Sequence, residues 1–410
     1  MSVNTHNNTL YCFYDFAVSP SSFDFFTFLY SAEICRIRRG LNQIDLSLVQ
    51  GPREGFREDN IRTSETNQLF FNNVILPGIS FLPSIVAFRW VPRQDVNIEG
   101  IQSENLFPRG YRLEQPVSEY LAHELNAAKV RGDAPGTFVA PSYAQQFAEQ
   151  YVQTELKNEP FVTLTIREIE KFDTNKTRSV NKEYWRDVLL RIRDMDVTPV
   201  VIRDTQNVFD APFFDDIPEV SLASVHLPFR LALYEKALLN LIKANGPSVL
   251  MQLGLSHCLL FIECDNESDV ISQEWFWRQQ GMAVGDQYPM SSDRTRFIWN
   301  SGDLEQIVET VTRRSSEGAR QPGLHPFSGK LNAGASFLLG MQHFIKVVLS
   351  GVLPEDEALL RGLQKLANDY DLMKNFEEVV MNLEDGVIPV GTVAELKQKY
   401  RFRFVSNTSM

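Results

Sequence analysis

The sequence of 410 residues predicts an α/β protein with two domains that face each other across a cleft. Short apolar runs of strand length alternate with helical patterns, as is typical of parallel sheets. The alternation stops in a loop rich in proline and glycine at 131–141 and starts again at Phe161. A chain of this length also exceeds one typical core, so two domains are expected. We place them at 1–155 and 156–385, followed by a C-terminal tail at 386–410.

The first domain opens with a regular series of elements. Residues 10–16 are apolar and aromatic and predict a strand, and 23–39 predict a helix with basic residues near its C-terminal end and Gly40 as its stop. Residues 44–50 alternate as a second strand, and a polar loop follows at 51–59. Strand, helix, strand and polar loop are the start of a parallel sheet.

The second domain repeats this order. Residues 161–166 predict a strand, 181–194 a helix and 197–202 another strand. A further helix, at 304–312, is predicted near the end of this domain. The series thus continues as an α/β unit of its own.

The stretch 224–261 is the most informative part of the second domain. A helix is predicted to start near Pro228, and its apolar stripe consists of Leu231, Tyr234, Leu238 and Leu241. The chain breaks at Asn245-Gly246-Pro247, a second helix starts with Ser248 near its cap, and 258–262 form a strand. A helix that opens at such a break presents backbone N–H groups and a hydroxyl together, which suits a phosphate or carboxylate. The alternative is an ordinary loop and helix cap.

Composition excludes several classes of protein. The net charge of −12 argues against a general nucleic-acid binder. Four cysteines without regular spacing indicate a reducing compartment with neither a disulfide framework nor a zinc site. The N-terminus lacks the pattern of a signal peptide, so a cytoplasmic protein is expected.

Several common motifs are missing from the sequence. No GxGxxG follows the first strand, which argues against a dinucleotide-binding dehydrogenase, and no GxxxxGK[ST] loop is present. No HExxH motif or GxSxG elbow occurs either. The chemistry therefore has to come from residues dispersed along the chain.

Ligands of open parallel sheets bind beyond the carboxyl ends of the strands, so polar residues that follow each strand are the candidates. Those of this chain are Asp15, Arg53, Glu54, Arg167, Glu168, Arg203 and the segment from Asn245 to Ser248. Arginine suits phosphates because its guanidinium donates two parallel hydrogen bonds. The alternative is that Arg167 and Arg203 pair with the neighbouring Glu168 or Asp204 and stiffen a loop. His226, just before a helix, either faces the cleft or caps that helix.

These residues resemble those of a known enzyme family. The segments that carry the resemblance are TIRE at 165–168, VIRD at 201–204, LYEKALLNLIKANGPSVL at 233–250, GDQYP at 285–289 and RFIWNSGD at 296–303. In order and architecture they resemble glycosyltransferases of the GT-B fold, and the strand-arginine pattern is similar to the sialyltransferase-like and fucosyltransferase-like branches. TIRE stands where the fucosyltransferases carry HxRRxD, which argues against a GDP-fucose donor.

The resemblance implies two Rossmann-like domains that face each other, with the acceptor on the first and a nucleotide-sugar on the second. It implies that Arg167, Arg203, Asn245, Gly246 and Ser248 contact the donor. The base or nucleophile would be Asp15, Asp24 or Glu54, and Arg53, Glu168 and His226 are further cleft candidates.

The resemblance also implies a nucleotide-sugar as co-substrate, a glycan or other hydroxyl acceptor, and neither metal nor cofactor. Such enzymes typically build bacterial surface polysaccharides, and some associate peripherally with membranes. Two other functions are compatible with the same architecture: a GT-B-like sugar-nucleotide epimerase and a non-catalytic two-domain binding protein.

Overall fold

The computed structural model describes residues 8–58, 62–118, 138–168, 181–208, 210–264, 272, 283–287, 294–299 and 304–316. Within these ranges the chain forms two sheets, and every strand pair in both is parallel. Helices connect the strands. The prediction of an α/β fold is therefore confirmed, while the proposed tail at 386–410 lies outside the described residues.

The first sheet has four strands in the order β3-β2-β1-β4. They are β1 (Thr9–Asp15), β2 (Gln43–Val49), β3 (Ile85–Val91) and β4 (Leu106–Phe107). The helices are α1 (Asp24–Arg38), α2 (Ser64–Phe70) and, after a π-helical turn (Phe71–Ile75), the short α3 (Leu76–Gly78). An aromatic core lies under this sheet, where Tyr14 meets Phe16, Phe25 and Phe28 edge to face at 4.9–5.1 Å.

The second sheet has five strands in the order β6-β5-β7-β8-β9. They are β5 (Phe161–Thr165), β6 (Thr198–Ile202), β7 (Leu239–Lys243), β8 (Cys258–Ile262) and β9 (Thr295–Trp299). The helices are α4 (Ser142–Thr154), α5 (Lys182–Arg193), α6 (Ser221–Val225), α7 (Leu227–Lys236), α8 (Ser248–Gln252) and α9 (Leu304–Ser316).

Strand β7 corrects one prediction. The helix expected to run from Pro228 through Leu241 ends at Lys236, and Leu239–Lys243 form a central strand in which every residue is buried. A strand buried on both faces is apolar throughout, so its pattern does not differ from that of a buried helix. Asn240 fits there because its side chain is fully bonded: it accepts from the Thr163 hydroxyl at 2.6 Å and donates to two carbonyls.

The segment between the two sheets belongs with the second one. Helix α4 packs against α7, and the backbone N–H of Phe138 donates to the carbonyl of Leu253 at 3.0 Å. The stretch before the predicted boundary at 155/156 is therefore a helix that contacts a helix of the second half. The domain boundary at 155/156 stays a prediction, and these contacts join 138–154 to the elements around the second sheet.

The two halves meet at the carboxyl ends of their sheets. Helix α1, which follows β1, contacts α8, which follows β7. A Cβ atom added to Gly246 would lie 2.5 Å from Cδ2 of the Phe23 ring, so glycine alone permits this approach. Buried residues of both halves also belong to one hydrophobic cluster. The predicted cleft is thus closed at this point by direct packing.

In the part of the chain that the structure describes, no helix combines the length and the apolar character needed to cross a bilayer.

We predict that Glu235 makes stability depend on pH. Its carboxylate is mostly buried in α7 and accepts a hydrogen bond from the N–H of Ala140 at 2.9 Å, and burial raises its pKa from 4.5 to about 7. The folded protein therefore holds a proton that the unfolded chain releases, so stability is fully present below about pH 4.5 and falls as the pH rises through about 7. The full effect is up to about 3 kcal/mol.

Glu235→Gln should therefore match the wild type near pH 4.5 and exceed its melting temperature progressively toward pH 8. Thermal unfolding across this range measures the difference. Glu149→Gln is the matched control, since Lys236 lowers the pKa of the exposed Glu149 and the sign of the difference should reverse. Parallel curves for wild type and Glu235→Gln would contradict the prediction.

Candidate functional site

The chain order of the second sheet reverses between β5 and β7, which makes this the sheet's topological switch point. Thr165 of β5 and Ile242 of β7 are partners in register, so Arg167 and Asn245 leave the sheet at neighbouring positions on its carboxyl edge. Open α/β sheets bind ligands in the crevice at such a point. The structure thus brings together two of the predicted binding residues.

Asn245 is unusual within this crevice. Its side chain is only 9% exposed, yet within the described part of the chain neither its amide nitrogen nor its amide oxygen has a hydrogen-bond partner. Buried polar side chains are nearly always bonded, because an unpaired one loses its hydration without compensation. A ligand in the crevice would supply the missing donor and acceptor.

A buried arginine that the sequence analysis missed lies on α7. Arg230 is 3% exposed, and its Nε donates to the Tyr234 hydroxyl at 2.7 Å. That hydroxyl is 2.7 Å from the hydroxyl of Thr165, the last residue of β5, so the network links Arg230 to the switch point. One guanidinium nitrogen, Nη2, is buried and has no partner among the described residues.

Asp204 is a buried acid that lies near two arginines. Burial raises the pKa of its carboxyl group, while the backbone N–H of Glu168 and the charges of Arg230 and Arg167 act to lower it. Two arginines therefore lie near one buried acid. Both guanidinium groups are close enough to act on a charged group at this edge of the sheet.

Arg203 forms an ion pair. It is 4% exposed and forms a two-pronged pair with Glu168, with Nη2 to Oε1 at 2.6 Å and Nε to Oε2 at 2.9 Å. Glu219 lies 3.7 Å from its Nη1. The alternative of a loop-stiffening ion pair therefore describes Arg203, with Glu168 rather than Asp204 as the partner.

The helix start at Ser248 does not present free N–H groups. The N–H groups of Ser248, Val249 and Leu250 donate to the carbonyls of Asn245, Gly246 and Pro247 at 3.1–3.3 Å. The Ser248 hydroxyl donates to the Asn245 carbonyl at 2.7 Å. The expectation of an open helix start is wrong, since the tight turn satisfies these groups itself. The contact with the Phe23 ring by itself requires a glycine at position 246.

Asp15 is enclosed in the first half. Its side chain is completely buried and accepts hydrogen bonds from the Tyr111 hydroxyl at 2.7 Å, from the N–H of Ala17 at 2.9 Å and from the Arg93 guanidinium. The Tyr111 ring stacks on Phe13 at 4.6 Å. Burial and the bond to Asp15 together raise the pKa of Tyr111. These contacts fill the crevice between β1 and β4, the switch point of the first sheet.

The other first-half candidates lie on the surface. Asp24 is exposed in the first turn of α1, where one carboxylate oxygen accepts from the Ser22 hydroxyl at 2.7 Å. Arg53 and Glu54 are exposed on the tight turn after β2, and Glu54 has a φ of 50°. Asp24 directly follows Phe23 and is therefore the nearer of the two acids to the contact with Gly246.

His226 caps a helix. Its Nδ1 accepts a hydrogen bond from the N–H of Phe229 at 3.0 Å, at the start of α7. This is the capping role that the sequence left open as an alternative.

Comparisons with protein-family models and with curated protein sequences give no match. Among solved structures, a family 9 glycosyltransferase from Veillonella parvula is similar at 8% identity over 77% of this chain and 99% of its own, with a TM-score of 0.49. An ADP-heptose heptosyltransferase II from E. coli has 9% identity, 76% and 78% coverage and a TM-score of 0.32. The wall teichoic acid polymerase TagF has 10% identity, 83% and 90% coverage and a TM-score of 0.27. All three scores are too low to carry an argument, so the architecture rests on the two sheets themselves.

We predict that Arg203→Ala lowers stability. The change would leave the carboxylates of Glu168 and Glu219 without their cation in a buried setting, at a cost of about 3–5 kcal/mol. Chemical unfolding measures this cost. Arg186→Ala is the matched control, because Arg186 pairs with Asp216 on the surface and its loss should change little. Equal effects of the two changes would show that the Arg203 pair does not stabilise the fold.

Gly246→Val should lower the melting temperature, because a side chain at this position collides with the Phe23 ring. Phe23→Ala should remove the obstacle, so the double variant should recover stability relative to the sum of the two single changes. Strict additivity of the two effects would mean that this contact does not explain the glycine.

Proposed function

We propose that the protein is a glycosyltransferase that moves a sugar from a nucleotide-sugar donor to a hydroxyl group of a glycan or another acceptor. The observation that carries the proposal is the unpartnered amide of Asn245, buried at the switch point of the second sheet beside Arg167. The resemblance of segments 165–168, 201–204 and 233–250 to GT-B enzymes supports it.

The chemistry of the crevice suits a nucleotide-sugar. The bond that breaks in glycosyl transfer leaves a diphosphate whose negative charge grows in the transition state. Guanidinium groups of Arg167 and Arg230 stabilise such charge electrostatically, and the Nη2 of Arg230 is a donor without a partner in the described residues. Asn245 offers both a donor and an acceptor, which matches a ribose hydroxyl, and its donor alone suits a phosphate oxygen. Such a set needs no metal ion for neutralisation.

On the acceptor side, the proposal requires a base or a nucleophile. Asp15 is enclosed by Tyr111, Arg93 and Ala17 and offers no surface to a substrate. Of the two remaining acids we assign the role to Asp24, since it is exposed and adjoins the contact between the halves. The expectation of surface-polysaccharide synthesis and of peripheral membrane association rests on the resemblance alone.

A panel of nucleotide-sugars tests the donor class. A donor that binds only the folded state raises the melting temperature by mass action. The donor that does so should then be turned over only when a hydroxyl acceptor is present. Conversion of the donor without an acceptor would instead identify an epimerase, and binding without turnover would identify a binding protein.

Asn245→Leu tests the site. Its amide has no partner in the described structure, so removing it should leave the stability of the protein unchanged or raise it. The loss of hydrogen bonds to the charged nucleotide-sugar should weaken the binding of that substrate about tenfold or more. Asn240→Leu is the matched control, because the bonded Asn240 should lose stability instead. Unchanged donor affinity in folded Asn245→Leu would place the donor elsewhere.

A further inference from the structure

A polar cavity lies between β9 and α9, apart from the residues of the switch point. It has a volume of about 170 Å³ and is lined by Arg296, Gln306, Glu309, Thr310 and Arg313. A water molecule occupies about 30 Å³ of liquid, so a group of phosphate size fits. Arg296 is the second residue of β9, and Arg313 lies in the last turn of α9. The cavity therefore opens near the amino ends of the strands, at the edge opposite the proposed donor site.

The two arginines of this cavity are notable for their charge. Within the described ranges neither Arg296 nor Arg313 forms a salt bridge, although the whole chain carries a net charge of −12. Glu309 stands four residues before Arg313, the spacing at which a Glu–Arg pair forms on a helix surface. No ion pair joins them here. Both guanidinium groups thus line the cavity without a carboxylate bound to them.

Two further arginines lie next in sequence to the strand and in the helix that carry the lining residues. Arg294 precedes β9 and donates to the carbonyl of Leu255 at 2.7 Å, and Arg314 of α9 lies 3.0 Å from Nε2 of His257. Part of this charge complements the C-terminal end of the α9 dipole. Neither Arg294 nor Arg314 lines the cavity, so the charges that an anion would meet there are those of Arg296, Arg313 and Glu309.

We propose that this cavity binds a phosphate group, either free or as the headgroup of an anionic phospholipid. Arg296 and Arg313 supply the charge-assisted hydrogen bonds, and the Gln306 amide supplies a further donor. The carboxylate of Glu309 opposes binding by repulsion and keeps the affinity moderate. The site goes beyond the proposed glycosyl transfer and does not depend on it.

Titration calorimetry of the full chain with inorganic phosphate tests the site. Wild type should bind, Arg296→Ala combined with Arg313→Ala should weaken binding at least about tenfold, and Glu309→Gln should tighten it. Arg186→Ala, which removes an arginine elsewhere on the surface, should leave the affinity unchanged. Phosphate binding that is equal in all four proteins would indicate an adventitious ion only and would overturn the proposal.

Sedimentation with vesicles separates the two sources of phosphate. Vesicles of phosphatidylcholine with phosphatidic acid should retain the wild type and release the double arginine variant if the ligand is a headgroup, while pure phosphatidylcholine should retain neither. Phosphate binding without vesicle binding would assign a free phosphate. The absence of both would refute the site. Turnover of a nucleotide-sugar does not enter either measurement, so failure here leaves the proposed function untouched.

Discussion

The approach of Gly246 to the ring of Phe23 sets how the two halves of this molecule meet. Gly246 lies in the turn after β7 of the second sheet, and Phe23 lies at the start of α1, the helix that follows β1 of the first sheet. A methyl group would not fit there, so the two segments pack in direct contact. The shared hydrophobic cluster then extends this contact through α1 and α8. The crevice at β5 and β7 is therefore adjoined by residues of the first half, because Asn245 directly precedes the glycine of this contact.

The fold class followed from the sequence because alternation of short apolar runs with helical patterns is local information. The bounds of α1 at Asp24–Arg38 and of β5 at Phe161–Thr165 were within two residues of the prediction. Strand β7 was not predicted, because a strand that is buried on both faces lacks the alternation of apolar and polar residues that distinguishes a strand from a helix. That distinction depends on neighbouring strands, which lie far away in sequence.

The candidate site was predictable only in part, for a related reason. Position after a strand identified Arg167 and Asn245, since carboxyl ends of parallel strands lie together. It did not show that Arg203 would find Glu168, because ion pairing depends on how the two loops fold back. Arg230 was missed, although a signal existed. It is the one arginine in Leu227–Lys236, a helix buried from Leu227 to Tyr234, and a charge in such a helix requires a polar environment.

The filled crevice of the first sheet has a consequence for how the two halves relate. In both sheets the strand order changes direction beside the first strand, at β1 and at β5. Each sheet therefore has a topological switch point, the place where open α/β sheets bind ligands. In the first, Tyr111, Arg93 and Asp15 occupy that place with mutual hydrogen bonds. The halves are thus alike in architecture but not interchangeable. In the first sheet the polar side chains at the switch point bond to one another, whereas in the second sheet Asn245 and Arg230 keep polar atoms without a partner among the described residues. The polar side chains at the switch point of the first sheet therefore stabilise that half internally, and a substitution among them should act on folding before it acts on binding.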